Sequence, residues 1–343
     1  MKKAHVLLIY TGGTIGMIED PETGTLNAFD FDHLHSQIPE LSRIDAHLDA
    51  VSLEKPIDSS DMSPIIWQEI AQLIFNAYHT HDGFVVLHGS DTMAFTASAL
   101  SYMLQGISKP IILTGSQLPI GRIRTDGKEN LITAIEIAAT RDKKGNSLIQ
   151  EVAIYFEYSL YRGNRTTKIS AHAFEAFRSP NYPELAEAGV SIQYNPSAFY
   201  TSSLDQLYLS CKMEESVALL KIFPGFSPLV YENLFDVNNV KAIVLETYGS
   251  GNAPNNPVFH EMISNYIKKG GIVINVTQCF SGAVDQGKYA NSTMFNILGV
   301  VSGRDITTEA AITKIMFLLA NSNSSEAVKE DFKRSIAGEI TEV

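Results

Sequence analysis

Cysteine is scarce: Cys211 and Cys279 are the only two in 343 residues. Two thiols cannot build a disulfide framework, and they suit a reducing compartment. Positive charge is also in deficit, with 26 Lys and Arg against 38 Asp and Glu, a formal net charge of −12. Nucleic-acid and anionic-membrane binders need clustered basic residues, so neither partner class is expected. No segment approaches the ~18 consecutive apolar residues of a membrane helix. After Met1-Lys2-Lys3 the apolar run Val6–Tyr10 is too short for a signal sequence, and it continues into Thr11-Gly12-Gly13 instead of a cleavage site. A soluble, cytoplasmic protein is expected. Gly (23) and Pro (13) show no collagen or linker bias. What the chain does have is apolar material: 45% hydrophobic and 19% charged residues suffice for a sizeable core. Its length suits about two domains.

Short apolar runs alternate with longer helical patterns. His5–Tyr10, Phe84–Leu87, Pro110–Thr114, Val152–Phe156, Val217–Phe223, Ala242–Glu246 and Ile272–Val276 read as strands. Most are continuous, as in parallel sheets buried on both faces. Helices are expected from Ser63-Pro64 onward, with Trp67, Ile70, Ala71, Ile74, Phe75 and Tyr78 on one stripe. Others are expected over Asp91–Leu104, Asn130–Thr140, Asn255–Ile267 and Glu309–Ala320. The alternation predicts an α/β protein: a larger N-terminal, mostly parallel sheet with flanking helices, and a smaller C-terminal parallel-sheet domain. Domains are expected over 1–192 and 214–343, joined by a connection over 193–213 that lacks helical period. The polar tail from Ser322 reads as an amphipathic surface helix with a frayed end.

Four polar segments can carry chemistry, and three of them follow strands. Thr11-Gly12-Gly13-Thr14-Ile15-Gly16 ends the first strand, where open α/β sheets place their ligands. It has neither the dinucleotide nor the P-loop spacing. Its bland alternative is a tight turn. Asp58-Ser59-Ser60-Asp61 offers hydroxyls for the charged ends of a small zwitterion, while capping of the next helix accounts for Asp61 or Ser63. In His88-Gly89-Ser90-Asp91-Thr92, Asp91 suits a helix N-cap, or a grip on a substrate ammonium. Tyr161–Lys168 is a dense polar run, and Lys168 becomes a candidate base where it is desolvated beside Ser90 and Asp91. The nine histidines show no metal-ligand spacing and Gly-x-Ser-x-Gly is absent, so neither a metal nor an α/β-hydrolase elbow is expected. What remains is hydroxyl-based acyl transfer on a small polar substrate.

The ordered set Tyr10-Thr-Gly-Gly-Thr14-Ile-Gly, Asp58-Ser-Ser-Asp61, His88-Gly-Ser-Asp-Thr92 and Arg162-Gly-Asn-Arg-Thr-Thr-Lys168 resembles the bacterial L-asparaginases. With Tyr248-Gly-Ser-Gly-Asn252-Ala-Pro and Thr277-Gln-Cys279, it is most similar to the type I, cytoplasmic branch. The resemblance implies hydrolysis of L-asparagine to L-aspartate and ammonia without a cofactor, in a homodimer or a dimer of dimers. It implies Thr14 as nucleophile, with Ser90, Asp91 and Lys168 as a second catalytic group. Asp58, Ser59 and Ser60 would sit at the substrate's α-carboxylate end, Asp91 would pair with its α-ammonium, and Asn252 would complete the neighbouring subunit's site. Thr167, Glu246 and Cys279 match positions of a second, allosteric asparagine site.

Three departures from that pattern stand out. Ser90 replaces the usual Thr, and Glu246 replaces an Arg. Pro21–Leu26 lacks the Tyr that orients the nucleophile in some members, leaving Thr25 as a positional candidate. The competing classes are another amidohydrolase on the same scaffold and a non-enzymatic amino-acid sensor. A glutaminase and the asparaginase-like subunit of a tRNA amidotransferase belong to the first. That subunit normally has an extra N-terminal domain, whereas the first motif here begins at Tyr10. Retention of Thr14, Asp91 and Lys168 speaks against the sensor.

Overall fold

The computed structural model describes residues 3–16, 38–287 and 290–342, with the backbone of 18–19 and 26–27. Thr25 lies outside the described residues. The chain divides into two compact units, 1–211 and 212–343. Most of the expected connection groups with the first unit, since Ile192–Tyr194 is a strand of its main sheet and Tyr208–Leu209 pairs with Leu104–Gln105.

In the first unit the sheet is built from β1 (Ala4–Gly12), β2 (Ala46–Ile57), β3 (Gly83–Leu87), β4 (Ile111–Thr114), β5 (Val152–Phe156), β6 (Ser159–Arg162), β7 (Ala186–Ala188) and β8 (Ile192–Tyr194). Their spatial order is β8-β7-β6-β5-β4-β3-β1-β2. The neighbours from β2 to β5 pair in parallel, and β6, β7 and β8 continue antiparallel. Helices α1 (Pro64–Ala77), α2 (Met93–Met103) and α3 (Gly127–Ala139) connect the parallel strands. The apolar stripe of α1 buries Trp67, Ile70, Ala71 and Ile74 as its spacing requires.

The expected strands of this unit are all present, but β2, β6, β7 and β8 escaped the apolar-run criterion. β2 is the sheet edge, so it carries Asp49, Glu54, Lys55 and Pro56 and leaves much of its length exposed. β6 returns from β5 through Glu157-Tyr158, both at positive φ (42° and 73°). This is the primed-turn geometry that matches strand twist. The Glu157 N–H is held at 3.0 Å by the buried Asn130 side-chain oxygen.

The second unit is a parallel sheet of β9 (Val217–Lys221), β10 (Ala242–Thr247), β11 (Ile272–Thr277) and β12 (Val301–Ser302), in that order. It is accompanied by α4 (Pro257–Lys268), α5 (Ala290–Leu298), α6 (Thr308–Asn321) and α7 (Ser325–Phe332). Asn256, Thr307 and Ser324 cap α4, α6 and α7 through side-chain oxygens.

The tail corrects an expectation. The helix α7 exists, but the segment after it is not frayed: Glu339 is fully buried and Ile340 is in the core. Glu339 pairs with the equally buried Lys314 at 2.6 Å. Lys314 also donates to the carbonyls of Phe332 and Arg334, at 2.7 and 2.6 Å. Three acceptors thus surround the ammonium, and the Ile336 and Ala337 amides satisfy the carboxylate. Burial alone would push the Glu339 carboxyl up. Lys314 and those amides outweigh it and hold the group below the usual carboxylate range. The resulting stabilisation is complete at neutral pH and is withdrawn as the pH falls through the folded carboxyl's pKa.

Breaking a buried pair on one side strands a charge, at about 3–5 kcal/mol. Lys314→Met should therefore destabilise the second unit by that amount. The double variant Lys314→Met/Glu339→Gln should recover a large part of the loss. Thermal denaturation followed by circular dichroism at neutral pH measures both, and equal losses in single and double variants would contradict the pairing.

Candidate active site

At the carboxyl edge of the first unit's sheet, strand ends approach each other so closely that side chains are excluded. Gly12 and Gly13 both have positive φ (121° and 82°). A Cβ added to Gly13 would lie 2.5 Å from the backbone of Gly89, and one added to Gly12 would collide with the Ile57 carbonyl. A Cβ on Gly89 would in turn lie 2.5 Å from Ser59 Oγ. The turns after β1, β2 and β3 are therefore in contact, and they carry Thr14, Asp58-Ser59-Ser60 and Ser90-Asp91. Three of the four polar segments singled out in the sequence share one edge.

The fourth segment arrives from β6. Gly163–Arg165 forms a single helical turn whose side chains face inward: Asn164 donates to Ser101 Oγ at 3.0 Å, and Arg165 is almost fully buried under the Tyr182 ring. Arg162, before it, forms a buried pair with Glu151 at 2.7 Å. This anchoring delivers Lys168, whose Nζ donates to Ser90 Oγ at 2.8 Å and to Asp91 Oδ1 at 2.6 Å. The Lys168 side chain is 17% exposed, whereas Asp91 is 68% exposed and faces open space. Ser90, Asp91 and Lys168 thus form one contact group, across 77 residues of sequence.

The local roles differ in part from those expected. Asp91 is not a helix cap: α2 begins later, with Thr92 at the cap position and no side-chain cap bond, and Thr92 instead donates to the Ser59 carbonyl at 2.7 Å. That leaves the Asp91 carboxylate to Lys168. Ser63 occupies the N-cap position of α1 as expected, though without a side-chain cap bond, and Asp58 instead caps the preceding turn Ser59–Asp61, accepting from Ser60 N and Ser60 Oγ at 2.8 Å each. The Ser60 amide, followed by its hydroxyl, holds the Asp58 carboxyl below its ordinary range. The Thr14 hydroxyl is half-buried and takes no hydrogen bond from the described residues.

Two supports were not evident from sequence. His88 is fully buried, and burial pushes its pKa down to about 4. Its Nδ1 lies 2.6 Å from the Gly89 carbonyl, and its Nε2 lies 2.8 Å from Thr96 Oγ1, which accepts from Trp67 Nε1 at 3.0 Å. A neutral ring bonding a carbonyl must carry its proton on Nδ1 and accept from Thr96 on Nε2. This chain ties α1 and α2 to the turn bearing Ser90.

At the end of β4, Asn130 donates to the Gly115 carbonyl at 3.0 Å, and Asp126 accepts from the Gln117 and Leu118 amides. Asn130 and Asp126 thereby fix the loop that borders the same edge. Nothing in their local sequence distinguishes them, because their partners are backbone groups brought near only by the fold.

The remaining candidates, Thr167 excepted, lie on the second unit. Tyr248 and Asn252 close a tight turn through reciprocal backbone bonds of 2.9 and 2.8 Å. Buried Asn275 holds the Gly251 carbonyl at 3.2 Å beside it. Asn252 Oδ1 and Tyr248 Oη are buried without a hydrogen-bond partner among the described residues. Glu246, at the end of β10, accepts from Thr308 Oγ1 at 2.7 Å and pairs with Lys221 at 3.3 Å. Lys241 pairs with Glu214, and Arg304 donates to the Thr341 carbonyl at 3.3 Å. Cys279 is exposed, and its amide donates to Thr277 Oγ1 at 3.0 Å. Thr167, on the first unit, pairs with Arg178 in a short hairpin.

Residues 5–200 match the asparaginase N-terminal family, and residues 216–332 match the glutaminase/asparaginase C-terminal domain. The chain is 41% identical to L-asparaginase 1 of Escherichia coli K12, over 99% of both chains. Its fold is similar to L-asparaginase I of Vibrio cholerae, with 37% identity, a TM-score of 0.88 and 99% coverage of both chains. The thermostable L-asparaginase of Thermococcus kodakarensis superposes with a TM-score of 0.90 at 30% identity, covering 99% of this chain and 100% of the other. Matches to both family domains, with 41% identity to a curated L-asparaginase over nearly the whole chain, make this chain a member of the asparaginase family.

Proposed function

We propose that the protein hydrolyses L-asparagine to L-aspartate and ammonia. The observation that carries this is the Ser90–Lys168–Asp91 contact group at the carboxyl edge, beside the turn bearing Thr14. Thr14 is the nucleophile: its hydroxyl oxygen attacks the side-chain carboxamide carbon, and the C–N bond breaks as ammonia leaves. Water then cleaves the Thr14 ester. Ser90, held by Lys168, takes the Thr14 hydroxyl proton and passes it through the Lys168–Asp91 pair to the leaving nitrogen, since a threonine hydroxyl needs a base. Backbone N–H groups near Ser90 and Gly115 stabilise the oxyanion. Asp91, with its carboxylate exposed, also accepts the substrate's α-ammonium. Ser59 and Ser60 serve the α-carboxylate end, with Asp58 orienting the Ser60 amide and hydroxyl. No cofactor enters this scheme.

The assembly is a homodimer or a dimer of dimers in which Asn252 completes a neighbour's site. Asn252 Oδ1 and Tyr248 Oη, buried with no hydrogen-bond partner among the described residues, support it, because such atoms cost free energy until something bonds them. The cytoplasm is the proposed location. Among the described residues no helix is long and apolar enough to cross a membrane.

Thr14→Ala and Lys168→Met should each lower kcat for ammonia release by at least about 10³-fold with the fold intact. Near wild-type turnover in either would remove that residue from the mechanism. Ser90→Thr restores the family's usual residue and should stay within about threefold of wild type, because the hydroxyl is kept and its rotamer stiffened.

At the second-site position where the resemblance has an Arg, this chain carries Glu246. Glu246 offers like charge, worth roughly 1–4 kcal/mol of repulsion at contact, and Lys221 is occupied in pairing with it. That matches a typical allosteric coupling of about 1–3 kcal/mol. The rate should therefore rise hyperbolically with asparagine concentration. A sigmoidal curve that Thr167→Ala makes hyperbolic would show the second site working.

A further inference from the structure

Far from the carboxyl edge, at the opposite ends of β1 and β2, three side chains converge that no step of the proposed reaction uses. His5 is the second residue of β1, Asp49 lies on the edge strand β2, and His81 follows α1 just before β3. Asp49 Oδ2 lies 2.9 Å from His5 Nε2 and 3.1 Å from His81 Nε2. All three donor atoms fall within 4.8 Å of one another. We propose that His5, Asp49 and His81 form a binding site for one divalent transition-metal ion of the zinc class.

The spacing suits such an ion. Zinc sits about 2.0–2.1 Å from imidazole nitrogen and carboxylate oxygen, which puts neighbouring tetrahedral ligands roughly 3.3 Å apart. The two nitrogen–oxygen separations are within a few tenths of an ångström of that, and the two ring nitrogens lie within 4.8 Å of each other. Two imidazoles and a carboxylate also suit zinc and its first-row neighbours better than magnesium or calcium, which prefer all-oxygen shells. The Asp49 side chain is 57% exposed and that of His5 34%, which leaves room for water in the remaining positions.

The hydrogen-bond pattern behind His81 is an independent pointer. Its Nδ1 faces the Ala77 carbonyl at 3.3 Å and Thr80 Oγ1 at 2.9 Å. The Thr80 hydroxyl proton is directed at the same Ala77 carbonyl, 3.0 Å away, so Thr80 meets Nδ1 as an acceptor. Both neighbours therefore call for a proton on Nδ1. In the neutral ring that leaves the Nε2 lone pair aimed at a carboxylate oxygen, which is repulsive until a cation lies between them. Metal-bound histidines are typically oriented this way, with the second nitrogen donating to a carbonyl or similar group.

The backbone of His5 is also pinned: its N–H donates to Asp82 Oδ2 at 2.9 Å, and its carbonyl accepts from the Asp82 amide at 2.6 Å. A metal here would staple the first strand to two segments distant in sequence. Because the unfolded chain cannot assemble the three ligands, binding would stabilise the fold.

The test uses tag-free, metal-stripped full-length protein. Titration with Zn²⁺ by calorimetry should give one equivalent bound at a single class of site. Co²⁺ as a probe should produce visible d–d absorption saturating at the same stoichiometry, and Zn²⁺ should raise the thermal transition. His81→Ala, Asp49→Asn and His5→Ala should each weaken binding by at least about tenfold and remove the thermal shift. Binding by exposed His172→Ala should match wild type. Circular dichroism establishes that each variant is folded, and exposed Asp49→Asn serves if a histidine variant is not. The proposal is overturned by the absence of stoichiometric binding. It is equally overturned by binding that survives Asp49→Asn unchanged, or by nuclear magnetic resonance showing that His81 is an imidazolium paired with Asp49 whether or not Zn²⁺ is added.

Discussion

Everything at the candidate site depends on how closely backbones can approach at the ends of β1, β2 and β3. Gly13 lies against Gly89, Gly12 against the Ile57 carbonyl, and Gly89 against Ser59. Main-chain packing at this distance fixes the relative positions of the three turns before any side chain is considered. It also explains why the turns are glycine next to small hydroxyl residues: only such residues fit where parallel strands converge, and the same residues are the ones able to attack or hold a small amide. Steric necessity and chemical use select the same sequence here.

Around that contact, buried polar bonds reach inward from the secondary structure. The Trp67–Thr96–His88 chain links two helices to the β3 turn, and Asn130 and Asp126 link α3 to the β4 loop. The Arg162–Glu151 pair and the inward-facing Asn164 and Arg165 hold the arm that carries Lys168. Each of these groups is buried where an unmet bond would be costly, so the site's geometry is coupled to the stability of the first unit. The exposed Asp91 carboxylate is the exception, a charge held at one end and open at the other.

The continuous apolar strands were plain in the sequence because a parallel sheet buries both faces, leaving no polar positions to blur the signal. The edge strand β2 was hidden by its charges and Pro56, and β6 by lying inside a polar run that turned out to be buried. The polar motifs marked the right segments, yet the division of labour within them was not legible. Asp91 read as a cap until Thr92 was seen to occupy that position, and Asp58 proved to cap a separate turn, Ser59–Asp61, ahead of α1. Such assignments turn on one residue of helix phase, which composition cannot resolve. His5, Asp49 and His81 are separated by dozens of residues, so no local spacing announces them.

The buried Lys314–Glu339 pair has a consequence for the order in which the second unit is made. The ribosome delivers Lys314 before its counter-charge, so α6 reaches solution with an ammonium that the core cannot yet accept. Until the segment around Glu339 emerges and folds back, seating that helix would mean burying a lone cation. The final closure of this unit is therefore tied to synthesis of the segment around Glu339, and a nascent chain stalled ahead of it would present an incomplete apolar face to chaperones instead of a folded domain.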